Sequence, residues 1–153
     1  MIKPVLKMQL PAYEKRIYSN PFSKSFLITK QRLLQLNELE TDGYDEDEVN
    51  TPSDYAFSTA DTILNEIYNV LGDQFPLGFS ILDSQGGINL IWRNQQFDKE
   101  AKIKISASAD LESYVYYHQG DDSELKTINT NNCLEYIVSI LNWLSNNQPI
   151  NYF

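Results

Sequence analysis

The hydrophobic period of this chain changes midway, and that change limits the folds open to it. Ala56, Ala60, Ile63, Leu64, Ile67, Val70 and Leu71 recur at spacings of three and four. Such a stripe is the buried face of an amphipathic helix. Ser53 or Asp54, beside Pro52, supplies its N-cap, and Gly72 its C-cap. From Phe79 onward the period is two. The pattern predicts strands over residues 79–83, 88–93, 102–107 and 112–118. Ser84-Gln85-Gly86-Gly87 reads as a hairpin turn whose glycines supply positive φ. Ile88, Leu90 and Trp92 share one face, against Asn89, Ile91 and Arg93 on the other. Ile103, Ile105 and Ala107 point inward. Tyr114 and Tyr116 face opposite to Val115 and Tyr117. Short polar connections, including residues 94–100, favour adjacent antiparallel strands over parallel crossovers. Gly120-Asp121-Asp122 ends the fourth strand.

Two further helices are predicted. One runs over residues 23–37, carried by Phe26, Leu27, Leu33, Leu34 and Leu36, with Ile28 and Thr29 weakening its first turn. The other runs over residues 131–146, with Asn132 and Glu135 at capping-box spacing and Leu134, Ile137, Val138, Leu141 and Leu144 buried. The tail beyond holds Pro149 and ends in Tyr152 and Phe153. The expected fold is therefore α+β: a four-stranded antiparallel meander, with room for a fifth strand, packed by two or three helices. It forms a single domain over residues 23–153, preceded by an extended arm at 1–22.

Charge is distributed unevenly. Up to Arg32 there are seven bases (Lys3, Lys7, Lys15, Arg16, Lys24, Lys30, Arg32) and one acid, a net charge of +6. The whole chain carries −9, so the remainder carries −15. Residues 38–50 alone hold seven acids and no base, and are read as a loop. The bland account is a basic arm folded back on an acidic body. The sharper one is an arm, with Lys15 and Arg16 at its centre, meeting an anionic partner such as nucleic acid. Phosphate repulsion disfavours nucleic-acid binding by the body itself.

Chemistry-bearing patterns are sparse. The acidic loop has Gly43 ahead of Asp45 and Asp47, the wrong order for a calcium loop. One cysteine (Cys133) and one histidine (His118) exclude a disulfide framework and a structural zinc site, and could form at most a dyad. No cofactor, metal or catalytic constellation is read. No stretch resembles a secretory leader or a membrane span, so the cytoplasm is the expected location.

The stretch from Leu33 to Leu144 carries Asp42-Gly43-Tyr44, Thr51-Pro52-Ser53 and Gly86-Gly87-Ile88-Asn89-Leu90-Ile91-Trp92. In these landmarks and their spacing it resembles a widespread group of small, uncharacterised bacterial proteins with a Trp-Asp-Gly-Tyr-Gly-Ala-like turn and a Gly-Gly-Ile-x-Leu-x-Trp hairpin. Thr41 stands where tryptophan is usual, Asp45-Glu46 replaces small residues, and Ile91 replaces a glutamate. The resemblance implies this fold and, by analogy alone, an antitoxin-like or other accessory interaction role. The leading expectation is a non-enzymatic module that binds a protein partner or itself. Its candidate interaction residues are Asp42, Tyr44, Asp45, Glu46, Asp47, Trp92, Arg93, Tyr114, Tyr116, Lys15 and Arg16. The alternative is an enzyme or small-ligand binder with a pocket between meander and helices, lined by Asp42, Tyr44, Trp92 and Arg93. A third expectation is homodimerisation through an uncovered sheet face or edge.

Overall fold

The computed structural model describes residues 23–38 and 51–150. Lys15, Arg16, Asp42, Tyr44, Asp45, Glu46 and Asp47 lie outside the described residues. Within them the chain forms α1 (Lys24–Leu36), α2 (Asp54–Leu71), β1 (Gly78–Leu82), β2 (Ile88–Asn94), β3 (Lys99–Ile105), β4 (Ser113–Gln119), β5 (Asp122–Ile128) and α3 (Leu134–Leu144). The five strands form an antiparallel meander in sequence order. It is an α+β fold with the helices on the sheet.

The sheet splits the meander residues by parity. Ile88, Leu90, Trp92, Ala101, Ile103, Ile105, Val115 and Tyr117 face inward and join residues of all three helices in one buried cluster. The α2 stripe supplies Ala56, Ala60, Ile63, Leu64 and Ile67; α3 supplies Ile137, Ile140, Leu141, Trp143 and Leu144. Ser53 caps α2, accepting from the amide of Ala56 at 3.0 Å. Its hydroxyl also donates to the Ala107 carbonyl at 2.6 Å, and its amide donates to the Gly86 carbonyl at 2.9 Å. The start of α2 is thus fastened to the β1–β2 turn and to the end of β3. The Thr51-Pro52-Ser53 and Gly86-Gly87 landmarks meet there, as structural parts.

The fifth strand for which the pattern left room is present: Gly120, at φ 57°, turns the chain into β5. Several expectations need correction. Only Gly86 of the first turn has positive φ, at 89°. Gly87 is needed for room instead, because a Cβ there would lie 2.5 Å from the Asp83 carboxylate and 2.6 Å from the Ile105 carbonyl. Val70 and Leu34 are exposed, since the stripes run past the edge of what they pack on. Helix α3 starts at Leu134, and Cys133 at its N-cap makes no side-chain cap bond. Upstream, the Asn129 side chain takes the amide of Asn131, winding this segment as a turn. Lys99 opens β3 instead of lying in a polar connection.

Two polar side chains lock helices to the sheet. Thr29 on α1 is buried; its hydroxyl donates to Ser25 O at 2.7 Å and accepts the amide of Gly78 at 3.0 Å. Arg32 donates to the Gly78 carbonyl at 2.8 Å, so α1 satisfies the backbone at the start of β1. Lys30 pairs with Asp61 on α2. Two of the bases in the basic N-terminal segment therefore hold the body together.

Candidate interaction surface

The registers of the five strands set three rows across the outer face of the sheet. The middle row reads Phe79, Ile91, Lys102, Tyr116, Leu125. One neighbouring row reads Ile81, Asn89, Lys104, Tyr114, Thr127; the other reads Arg93, Glu100, His118, Ser123. None of these residues belongs to the core cluster. Ile91 is only 5% exposed all the same. The helix residues of the buried cluster pack with the inward-facing residues instead.

Charge on the face is organised in pairs. Arg93 Nε donates to Glu100 Oε1 at 2.6 Å, and the guanidinium lies 4.9 Å from the centre of the Phe79 ring. Glu100 Oε2 stands 3.6 Å from His118 Nε2, and the His118 and Tyr116 rings are 5.6 Å apart. Glu100 thus bridges Arg93 and His118, across β2, β3 and β4. The Lys102 ammonium lies 5.6 Å over the Tyr116 ring. Lys104 reaches Asp83 Oδ2 at 2.8 Å, at the corner of the sheet. Asn89 Oδ1 is buried without a hydrogen-bond partner, a polar atom left over in the middle of the face.

Of the residues singled out in the sequence, the structure brings Arg93, Tyr114 and Tyr116 onto this one face. Trp92 goes elsewhere. It is fully buried on the inner side, its indole donating to Pro76 O at 3.0 Å, with its ring against the Gly78 backbone. Tyr117, on the opposite side of β4 from Tyr114 and Tyr116, is likewise in the core, edge-on to Trp143 at 5.5 Å. Sequence reasoning placed Lys102 on the outward side but missed Glu100 and His118 as members of the face. Their signal was the parity of β3 and β4, which places them in one row with Arg93 once the strands are registered.

The arrangement offers contact area and donors more than reactivity. His118 and Cys133 lie on opposite sides of the sheet and form no dyad. Cys133 is buried, and desolvation, then the nearby Glu66 carboxylate, push its thiol up to about 11. Among the described residues, open grooves flank the sheet. One, of about 430 Å³, runs past Pro76, Leu77, Arg93 and Leu144; another, of about 410 Å³, past Tyr55, Leu111, Thr127 and Thr130. Among the described residues no three metal-ligating side chains cluster, and no helix is long and apolar enough to cross a membrane. Comparison with family models, with curated proteins and with solved structures gave no significant match.

Proposed function

We propose that this protein is a binding module and that the outer sheet face is its working surface for a protein partner. One observation carries this reading. The inner face and all three helices share a single core, while the outer face, outside that cluster, carries Phe79, Ile91, Tyr116 and Leu125 in one row interrupted by Lys102. Tyrosine and arginine are the side chains that protein interfaces favour, because they bring large area at low entropic cost and keep a polar end. The Arg93–Glu100–His118 bridge supplies directional groups at the rim of that row. An antitoxin-like or other accessory role is the setting that the sequence resemblance suggests for such a module. The competing idea, a ligand pocket between meander and helices, loses its central member, since Trp92 fills the core at that point.

The test is co-expression of the full chain with the product of the neighbouring gene, followed by light scattering on a sizing column. A complex is expected, and Tyr116→Ala or Arg93→Glu is expected to weaken it by about tenfold or more. Circular dichroism should be unchanged in both variants, because neither side chain is in the core. A complex indifferent to both variants would overturn the reading. So would a chain with neither partner nor self-association whose behaviour does not change with salt.

A further inference from the structure

The meander has two edges, and among the described residues only one is closed. At β1 the edge is met by α1, through Thr29 and Arg32. At β5 the sheet ends, and no further strand of the described residues pairs with it. An open edge of seven residues is a template for another strand, which proteins ordinarily blunt with charge or cover. Here the centre of the edge is Leu125, 56% exposed, next to Tyr116 in the outer row. The strand does carry charge (Asp122, Glu124 and Lys126), but Glu124 and Lys126 are opposite in sign and flank Leu125 symmetrically, so the charge opposes a strand of unrelated sequence more than a second copy of itself.

We propose that β5 pairs with β5 of a second copy of this chain, antiparallel about a two-fold axis through Leu125, joining two meanders into one continuous sheet. The pairing follows from the order of residues in Asp122–Ile128. With the axis at Leu125, the leucine meets its own copy, Ser123 meets Thr127 of the second copy, and Glu124 meets Lys126. Opposite charges therefore face each other twice, once on each side of the axis, on the inner face of the sheet. Among the described residues neither Glu124 nor Lys126 has an ion-pair partner within its own chain; Lys126 lies over the Tyr136 ring at 4.5 Å. On the outer face the two leucines close over the junction, and the two hydroxyl residues can hydrogen-bond.

Backbone geometry agrees. The β4–β5 turn has two residues, Gly120 and Asp121, between the paired Gln119 and Asp122. A loop of this kind closes on a hydrogen-bonded pair, and the backbone then alternates along the strand. Asp122, Glu124 and Lys126 turn their amides and carbonyls to β4, leaving those of Ser123, Leu125 and Thr127 on the free edge. These three are the residues the proposed axis sets opposite one another in hydrogen-bonding positions. The register is specific as well. Moving the axis one residue either way puts Glu124 or Lys126 opposite its own copy, which is repulsive. The proposal is independent of the reading of the outer face given above, because it uses the strand edge and asks for no other partner.

The experiment is sedimentation velocity on the full chain over a concentration series, with charge-swapped variants. A strand pair of this length is near the small end of stable interfaces, about 1,000 Å² in total, so a concentration-dependent dimer is expected. Glu124→Lys alone and Lys126→Glu alone each bring like charges together twice. Each is expected to weaken the dimer by about tenfold or more. Mixing these two variants restores opposite charges at both positions, so an equimolar mixture should form the heterodimer. The double variant should dimerise like the original chain. Lys126 is exposed and Glu124 half-buried, and the rescue arms show that any loss is not one of folding. A wild-type chain that stays monomeric overturns the proposal. A dimer indifferent to the single swaps, or a mixture that fails to recover it, overturns it equally.

Discussion

Asp83 holds the corner where the first hairpin turns. Its Oδ1 accepts the amides of Gln85 at 2.8 Å and Gly87 at 2.9 Å, and its Oδ2 meets Lys104 at 2.8 Å. Burial works to raise its pKa but is outweighed by Lys104 and the two amides, so the carboxyl sits below its ordinary value of 3.8. Unfolding removes those partners and returns it to that value. The stability this group provides is therefore complete above pH about 4, and it is lost as pH falls through the depressed folded value. Asp83→Asn should cost about 1–2 kcal/mol at neutral pH. Urea titrations from pH 7 down to pH about 2.5 should show the gap between the two proteins closing in acid. A gap that stays constant across that range would mean that the charge is not what Asp83 contributes. Nothing in the sequence pattern marks this residue, which reads only as the polar end of a strand. Its role depends on Gly87 lying close enough to be contacted and on Lys104 arriving from β3.

At the scale of elements, the end of α3 depends on a lysine from another part of the chain. Lys99 is 2% exposed, and its ammonium donates to the carbonyls of Trp143 at 2.8 Å, Asn146 at 2.7 Å and Gln148 at 2.7 Å. It also lies 4.6 Å over the Trp143 ring, whose own N–H donates to Pro149 O. A positive charge at a helix C-terminus answers its unpaired carbonyls and its dipole. Lys99→Met keeps the volume but leaves those carbonyls without a donor, at about 2–4 kcal/mol. Hydrogen exchange should find residues 145–150 opening before the rest of the sheet in that variant. Uniform loss of protection would instead make Lys99 part of the general core. The elements that bury a stripe or an alternating face were legible in sequence: α2, β2 and β4 stand where the period put them, and β3 keeps the expected parity but begins three residues earlier. Two features were not. β5 escaped because an edge strand buries almost nothing, and Asp-Ser-Glu-Leu-Lys-Thr-Ile has no apolar alternation to read. Lys99 escaped because the carbonyls that explain its burial are more than forty residues away in the chain. The face that carries Arg93, Tyr114 and Tyr116 was half visible, since parity assigns the side of each strand but only register shows which residues become neighbours.

On the scale of the whole molecule, the inner face of the sheet and three helices enclose one core, and Cys133 lies inside it. Its position makes it a reporter on that core. A thiol reacts as the thiolate, and with its pKa pushed up to about 11 by burial and Glu66 it is both shielded and mostly protonated at pH 8. If sheet and helices separate only together, labelling must wait for global unfolding. The native chain should then resist a disulfide reagent at pH 8, and the opening free energy from labelling should match that from fluorescence-monitored denaturation, within about 1 kcal/mol. A much smaller opening energy would show that the start of α3, where Cys133 makes no cap bond, lifts off while the meander stays folded. The two outcomes separate two accounts of how this molecule could bind. A single cooperative core leaves the outer face and the β5 edge as rigid, preformed surfaces, and partners would meet them without rearrangement. A helix that lifts alone would part Tyr117 on the sheet from Trp143 on the helix, adding a second apolar surface that the closed form keeps hidden.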